Sequence, residues 1–273
     1  MPQLTTEELR KTAHELRIDV LKMLKNAKSG HPASALGLAE ILSVLYFSEL
    51  NIDPKNPNDK KSDKFILSNG HACPILYAAL AKKGFFPKKE VGNLRKVGAL
   101  LQGHPSRETP GVETASGSLG QGLSIGVGEA LAYKMDKLSN RIYVLTSDGE
   151  LNEGQTWEAA MLAPKYNLDN LTWIIDRNNI QIGGNTRDIL PLENLREKLE
   201  SFNWYIIEID GHNIMEIKSA FRMAKNISGR PTGIIAHTIP GKGVDFMEKK
   251  FEWHGKIPSD KEMEEGIEQI KKL

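Results

Sequence analysis

The stretch RIYVLTSDGELNE, residues 141–153, has the pattern of a buried strand that runs into acidic residues. The strand pattern ends in Asp148 and Gly149, with Glu150 and Glu153 just beyond them. Carboxylates that follow a buried strand either lie in solvent or bind a positively charged group. The rest of the sequence is needed to distinguish these two possibilities. Short apolar runs with polar ends recur in FILSNGH (65–71), LTWIIDRN (171–178), WYIIEIDGH (204–212) and TGIIAHTI (232–239).

Helical patterns separate several of these runs. The clearest are LGQGLSIGVGEALAYKM (119–135), GQTWEAAMLAPKY (154–166) and IMEIKSAFRMAK (214–225). Near-continuous apolar strands that alternate with helices predict a parallel sheet that is covered on both faces. A capping-box spacing from Thr5 to Glu8 predicts a first helix that reaches about Asn26. We therefore expect an α/β fold, a doubly wound parallel sheet with helices on both faces, in which residues 1–273 form a single domain.

The composition is that of an ordinary globular protein, with 273 residues, 40% of them hydrophobic, and a net charge of +1. Such a balance provides no basic field for nucleic acid or for an anionic membrane. Cys73 is the one cysteine, which excludes a disulfide framework and a Cys-rich zinc site. No apolar stretch has the length of a membrane span, and the N-terminal segment is too charged for a signal peptide. We expect a cytoplasmic protein.

Polar residues at the ends of two consecutive strands predict a metal site. Ligands of doubly wound sheets bind outside the carboxyl ends of the strands. Asp148 ends one strand and Asn178 ends the next, and a right-handed crossover places these two ends side by side. A carboxylate, an amide oxygen and a backbone carbonyl suit Mg²⁺ or Ca²⁺, which often complete their coordination with phosphate oxygens. Gly149 would let the backbone approach such a phosphate, near the start of the helix predicted at Gly154.

The Asp-Gly and Asn pair resembles the thiamine diphosphate signature, and further motifs narrow the resemblance. These motifs are SGHPASALG (29–37), LSNGHACPILY (67–77), LQGHPS (101–106), SGSLGQGLSIGVG (116–128), SDGELNEGQTWE (147–158), IDRNNIQIGG (175–184) and WHG (253–255). In this order they resemble the N-terminal, diphosphate-binding domain of transketolase, over essentially the whole chain. Two departures are visible: Ser147 stands where the family usually has Gly, and Ser118 where it often has Pro.

The resemblance implies a role for each residue that matches a family motif. The implied metal ligands are Asp148, Asn178 and the backbone carbonyl of Ile180. The implied contacts to the diphosphate are His71, Gly149, Asn178 and His254. The residues implied to line the aminopyrimidine side, through their backbone, are Gly117, Ser118 and Leu119. The implied cofactors are therefore thiamine diphosphate and Mg²⁺ (or Ca²⁺).

The implied reaction transfers a two-carbon ketol unit from a ketose phosphate to an aldose phosphate. Its steps move protons on and off sugar oxygens near neutral pH, for which imidazole is well suited. We expect His31 and His254 to handle these protons and His104 to hydrogen-bond the two-carbon unit. His212 is better explained as a residue that structures its loop, and the sequence leaves the role of His237 open.

The acids Glu153 and Glu158 match residues at the family's subunit interface. The alternative is that they are solvated acids in the first turn of a helix, where they complement its dipole.

The resemblance also implies a missing half. In the family, a glutamate of a second domain activates the aminopyrimidine, and this sequence reaches Leu273 with no second parallel-sheet pattern. We expect the partner to be a separate C-terminal transketolase subunit, with two copies of each chain, and the substrates to be sugar phosphates. The alternatives are a related enzyme's subunit, such as that of deoxyxylulose-phosphate synthase, and a non-catalytic thiamine diphosphate-binding subunit. A Rossmann dehydrogenase and a P-loop NTPase are disfavoured, because GSLGQG (117–122) and PGKGV (240–244) lack the required spacing and residues.

Overall fold

The computed structural model describes residues 4–57 and 59–273, which are organised around a parallel sheet. Within these residues the strands are β1 (Lys64–Leu67), β2 (Ile142–Ser147), β3 (Leu171–Arg177), β4 (Ile180–Gln181), β5 (Gly184–Asn185), β6 (Tyr205–Asp210) and β7 (Thr232–His237). Among them, five strands pair in parallel in the order β1-β2-β3-β7-β6, and β4 pairs with β5 in an antiparallel ribbon. These five strands coincide with the five apolar runs, so the predicted parallel sheet is confirmed.

Helices connect the strands and cover the sheet. Within the described residues they are α1 (Thr6–Ala27), α2 (Pro32–Gly37), α3 (Ala39–Val44), α4 (Cys73–Lys83), α5 (Gln121–Met135), α6 (Gly154–Lys165), α7 (Thr186–Ile189), α8 (Leu195–Ser201), α9 (Ile214–Asn226) and α10 (Asp260–Ile270). The predicted capping box begins α1: Thr5 Oγ1 accepts from the Glu8 N–H, and the Glu8 carboxylate accepts from the Thr5 N–H. After α1 the chain forms α2, α3 and a π-helical turn at Leu45–Glu49 in succession.

The two faces of the sheet bury separate apolar cores. Successive strand residues point to opposite faces, so one strand contributes to both cores. In β3, Ile174 belongs to the core that contains α1, α4 and α9, whereas Trp173 and Ile175 belong to the core that contains α5 and α6. Helices on both faces confirm the doubly wound arrangement.

A buried ionic group, which we call the helix-side cluster, consists of Arg17 in α1, Glu40 in α3 and His212 after β6. The two terminal nitrogens of Arg17 donate to the two Glu40 oxygens at 2.7 and 2.5 Å. His212 Nδ1 lies 3.0 Å from Glu40 Oε2, while its Nε2 accepts from the Ile239 N–H at 2.8 Å, so Nδ1 carries the proton. Burial opposes the Glu40 charge, but Arg17 and His212 outweigh it and hold its pKa at about 2. His212 therefore braces its loop, as the sequence favoured.

The polar segment 51–63 is a connection without helix or strand in its described part, and residue 58 lies outside the described residues. Its end is not exposed. Asp63 is buried and accepts from the N–H groups of Asn51 and Arg141, each at 2.9 Å. No helix in the described ranges is both long and apolar enough to cross a membrane.

Candidate functional site

A cleft of about 390 Å³ opens at the carboxyl edge of the sheet, where the strand ends predicted a site. The predicted residues that line it are His31, His71, His104, Gly117, Leu119, Gly149, Ile180 and His254. Asp148 and Asn178 are buried beside the lining residues Gly149 and Ile180, with exposures of 0% and 4%. Ser118 is exposed and is not among the lining residues. The fold thus gathers motifs that are widely separated in the sequence.

Three imidazoles meet in this cleft. The ring centroids lie 5.1 Å apart for His31 and His71, 5.6 Å for His31 and His254, and 5.0 Å for His71 and His254. One nitrogen of each ring is buried without a hydrogen-bond partner within the described residues: His31 Nδ1, His71 Nε2 and His254 Nδ1. Buried polar atoms are normally paired, so three orphaned nitrogens in one cleft fit a polar ligand.

The three rings are neutral at physiological pH. Burial lowers the pKa of His31 to about 4 and that of His71 to about 3, and neighbouring imidazoles add to the effect. Burial also lowers the pKa of His254. A neutral imidazole offers one donor and one acceptor, so each ring can hold or pass on a proton at a bound ligand. Among the described residues no group of three or more His, Cys, Asp or Glu is arranged to hold a metal ion.

His104 reaches the cleft from a separate loop. The Tyr77 hydroxyl in α4 donates to the carbonyls of Gln102 and His104, at 3.1 and 3.0 Å, and so fixes this loop. The imidazole packs against the Gly117 backbone, where an added Cβ would lie 3.3 Å from His104 Cδ2. Burial lowers the pKa of His104, and the charge of Arg95 contributes.

Three buried acids, Asp148, Glu150 and Asp176, form what we call the strand-end cluster. The Asp148 N–H donates to the Asp176 carbonyl at 3.0 Å, which joins the ends of β2 and β3. The Asp148 carboxylate accepts from the N–H groups of Gly149 and Asn179, each at 2.7 Å. Burial raises the pKa of Asp148 to about 6 and that of Asp176 to about 7. The ends of β2 and β3 thus concentrate negative charge in a site that disfavours it.

Asp176 orients the amide of Asn178. Asn178 Nδ2 donates to Asp176 Oδ2 at 2.7 Å, and the Thr238 hydroxyl donates to Asp176 Oδ1. The Asn178 Oδ1 atom is therefore turned away from Asp176, and it accepts from the Ile180 N–H at 3.0 Å. An amide oxygen has a second lone pair, which leaves Oδ1 able to bind a cation.

The donors around Asp148 fit a hard divalent cation. The Asp148 carboxylate, Asn178 Oδ1 and the Ile180 carbonyl are all oxygen ligands, as Mg²⁺ and Ca²⁺ require. The Thr186 hydroxyl is buried close to the Asp148 carboxylate and helps to lower its pKa. Arg177 Nη1 lies 3.4 Å from Asp148 Oδ2, but Nη2 of the same guanidinium lies 2.8 Å from Glu193. One shared guanidinium does not offset two buried aspartates, so a further positive charge fits here.

The two acids assigned to an interface are not among the residues that line the cleft. Glu153 is the residue before α6, and Glu158 lies in its second turn. Both are exposed, and neither forms an ion pair within the part of the chain that the structure describes.

Several cleft residues were not expected from the sequence. Gln181 and Ile182 line the cleft from the β4–β5 ribbon, and Ile182 is 78% exposed. The Gln181 side chain packs over Gly149, where an added Cβ would lie 2.9 Å from Gln181 Cγ. The Gly183-Gly184 pair was the available signal for a tight turn here. Glu150 was also missed, although the Ser147-x-x-Glu150 spacing is that of a capping box.

Fold and site define the class: an α/β protein with a cleft of imidazoles and oxygen donors at the carboxyl edge of a parallel sheet. The chain belongs to the transketolase thiamine diphosphate-binding domain family, which it matches over residues 9–272. This confirms the resemblance found in the sequence.

Relatives of two kinds match the chain. It is 39% identical to one of the named subunits of the apulose-4-phosphate transketolase of Phocaeicola vulgatus, with 98% of this chain and 95% of the relative covered. It is 42% identical to the 6-deoxy-6-sulfo-D-fructose transketolase subunit SqwG of Clostridium sp., with 97% of each covered. The solved transketolase of Campylobacter jejuni superposes with a TM-score of 0.93 at 35% identity, and the match covers 98% of this chain but 43% of that chain. The chain is thus a transketolase subunit of the N-terminal, thiamine diphosphate-binding type.

Proposed function

We propose that this chain, as a single diphosphate-binding domain, transfers a two-carbon ketol unit from a ketose phosphate to an aldose phosphate together with a separate C-terminal subunit. The observation that carries the proposal is the cleft itself. It places His31, His71 and His254 within 5.6 Å of one another, by ring centroid, beside the buried oxygen donors of Asp148 and Asn178. Imidazoles for proton handling and a cation site for a diphosphate would therefore share one cavity.

The residues that would hold the cofactor divide into three groups. Asp148, Asn178 Oδ1 and the Ile180 carbonyl would bind Mg²⁺ (or Ca²⁺). The diphosphate would be contacted by His71, Gly149, Asn178 and His254, and the aminopyrimidine side by the backbone of Gly117, Ser118 and Leu119. The orphaned nitrogens of His71 and His254 and the access to the Gly149 backbone support this arrangement. When bound, thiamine diphosphate supplies the carbanion chemistry, and the protein supplies position and electrostatics.

The remaining histidines would act on the sugar. His31 and His254 would accept and return protons at the sugar hydroxyl and carbonyl oxygens, and His104 would donate a hydrogen bond to the two-carbon unit. Their lowered pKa values support neutral rings, each of which offers one donor and one acceptor to a sugar oxygen. The packing of His104 against Gly117 would bring it close to the cofactor.

The partner would be a chain that resembles the C-terminal part of transketolase, with two copies of each chain. A relative that matches over 95% of its own length is named as one subunit of its transketolase, which supports a split enzyme. The match covers 41% of the length of human transketolase. Glu153 and Glu158 would lie at the subunit interface. Their exposure beside Met161 and Leu162, which are 54% and 41% exposed on the same helix, supports that placement.

Reconstitution tests the proposal. The purified chain is assayed alone and with a candidate C-terminal subunit, with and without thiamine diphosphate and Mg²⁺. The donor panel holds ketose phosphates, apulose 4-phosphate and 6-deoxy-6-sulfo-D-fructose. We expect ketol transfer only in the complete mixture. Turnover by the chain alone would refute the split-subunit proposal, and condensation of pyruvate with glyceraldehyde phosphate in place of ketol transfer would favour the deoxyxylulose-phosphate synthase alternative.

A further inference from the structure

The Glu150 carboxylate lies at a junction of three chain segments. It is fully buried, at 0% exposure, in the short 3-10 turn Gly149–Asn152 that follows β2. Its Oε1 atom accepts from the Ser68 hydroxyl at the end of β1 and from the Gly120 N–H at 2.8 Å, just before α5. Its Oε2 atom accepts from the Ser147 N–H at 3.3 Å, at the end of β2. One carboxylate thus accepts hydrogen bonds from the end of β1, from the end of β2 and from residues 117–122, which we call the glycine-rich turn.

Glu150 and Ser147 also hold the turn that contains Asp148. The Glu150 N–H donates to Ser147 Oγ at 3.3 Å, while the Ser147 N–H donates back to the Glu150 carboxylate at the same distance. This reciprocal pairing of side chain and backbone is the capping-box arrangement. The segment between the two residues is Asp148-Gly149, so the pair fixes the backbone that presents the aspartate. Ser147, which departs from the family's usual glycine, has a structural use in this chain.

The glycine-rich turn rests on the same network. The Gly122 N–H donates to Ser68 Oγ at 2.9 Å, and the Ser68 hydroxyl passes on a hydrogen bond to Glu150. A Cβ added at Gly122 would lie 2.3 Å from Ser68 Oγ, so glycine is required for this approach. Gly120 has φ of +83°, a conformation that suits glycine. The turn therefore keeps its position through Glu150 and Ser68.

We infer that Glu150 is a positioning residue that sets the distance between the Asp148 turn and the Gly117–Leu119 segment. This inference rests on the proposed function, in which the Asp148 turn holds the metal and the diphosphate and residues 117–119 line the aminopyrimidine. A ligand that contacts both segments requires a fixed distance between them. Gly120, whose N–H donates to Glu150, directly follows Leu119 in the sequence. Two of the groups that donate to the carboxylate adjoin these segments, Ser147 before Asp148 and Gly120 after Leu119, which suits an acceptor-only side chain.

The experiment compares Glu150→Gln with Glu129→Gln in the reconstituted complex. Glutamine preserves the size of the side chain, but its amide must turn an N–H toward a backbone N–H of Gly120 or Ser147. Glu129 is a half-buried acid of α5 that makes none of these contacts, and burial raises its pKa as it does that of Glu150, which makes it a matched control. We expect Glu150→Gln to raise the thiamine diphosphate concentration for half-maximal activity by about tenfold, or about 1.4 kcal/mol, with the ketose KM unchanged. Glu129→Gln is expected to change neither quantity.

A second readout does not depend on activity. Amide hydrogen exchange of the full chain without cofactor reports on the Gly120 and Gly122 N–H groups, which donate to Glu150 and Ser68. Glu150→Gln should speed their exchange while the α9 amides keep their protection, and Glu129→Gln should leave both unchanged.

Ser68→Ala covers the case in which Glu150→Gln fails to fold. It removes one hydroxyl from the network, so it should raise the cofactor requirement by a smaller factor and speed exchange at Gly122. A loss of thermal stability with an unchanged cofactor requirement would overturn the inference, because Glu150 would then serve the fold alone. A wild-type complex with no need for thiamine diphosphate would instead overturn the proposed function.

Discussion

The helix-side and strand-end clusters each contain at least one buried carboxylate, and the charges are compensated to different extents. In the helix-side cluster, Glu40 receives both arms of Arg17 at 2.7 and 2.5 Å, and His212 completes the pairing. In the strand-end cluster, Asp148 has the guanidinium of Arg177 at 3.4 Å, and this group is shared with Glu193. The pKa values follow this contrast: about 2 for Glu40 and about 6 for Asp148.

This difference separates a carboxylate that stabilises the fold from one that is placed to bind a ligand. A buried charge with a bidentate partner is compensated, whereas one without an adequate partner either takes up a proton or binds a cation. Asp148 adjoins the cleft and has oxygen donors around it, so a divalent cation would complete its environment. Substitutions in the two clusters should therefore affect different properties of the protein.

Glu40→Gln should have the largest effect, and it should be on stability. Arg17 would keep its buried charge without a carboxylate, and breaking a buried pair in this way costs roughly 3–5 kcal/mol. Chemical denaturation of the full chain measures this loss. The control is Glu264→Gln, which removes a 69% exposed carboxylate paired with Lys25 and should cost far less, because solvent screens an exposed pair. An equal effect of the two substitutions would contradict the structural role of the helix-side cluster.

Asp148→Ala should come next, and it should act on cofactor binding. Loss of the charged oxygen ligand should raise the thiamine diphosphate concentration for half-maximal activity at least about 100-fold, or about 2.7 kcal/mol. Asn178→Ala should have a smaller effect, because it removes a neutral ligand. Calorimetry with Mg²⁺ and thiamine diphosphate provides the direct measurement. Asp188→Ala, an exposed aspartate of α7, is the control. Unchanged affinity in both the Asp148 and Asn178 variants would mean that the metal site is elsewhere.

Much of the fold could be predicted because local pattern and global arrangement agree. Each of the five strands of the sheet is an apolar run with a polar end, and the crossover rule alone predicts that Asp148 lies beside the end of β3. The small β4–β5 ribbon was not predicted, because strands of two residues have no usable hydrophobic period.

Most of the residues that line the cleft could be predicted from the sequence, but their contacts could not. The sequence pointed to His31, His71 and His254, yet their packing depends on three turns that only the assembled fold brings together. Glu150 was hidden for a related reason. An acid beyond a strand end is usually solvated, and its burial here results from the approach of the glycine-rich turn, which local sequence does not encode. Composition and hydrophobic period thus do not predict contacts between segments that are distant in the sequence.

The smallest expected effect is the pH dependence of stabilisation by Mg²⁺, and measuring it compares the two clusters in one experiment. The folded-state pKa of Asp148 is raised to about 6 from an ordinary 3.8, so its contribution to stability without metal is present at low pH and is lost as pH rises through about 6. A bound cation needs the ionised carboxylate and relieves this loss. Stabilisation of the chain by Mg²⁺ should therefore be near zero at about pH 5 and should grow as pH rises toward about 8.

Thermal unfolding with and without Mg²⁺, at about ten times its dissociation constant, should show a gain of roughly 1.4 kcal/mol at the alkaline end of this range. Asp176, whose pKa is raised to about 7, lies beside Asp148 and extends to higher pH the range over which the Mg²⁺-dependent gain increases. His31 and His71 stay neutral in the folded state over this range, since their pKa values are about 4 and 3. Glu40, with a pKa of about 2, stays ionised, and its contribution is lost only as pH falls below 4.5 toward 2.

Asp148→Asn should abolish the Mg²⁺-dependent gain at every pH, whereas Glu40→Gln should lower stability throughout and leave that gain intact. A gain that is independent of pH, or one that survives Asp148→Asn, would show that the strand-end cluster does not bind the cation.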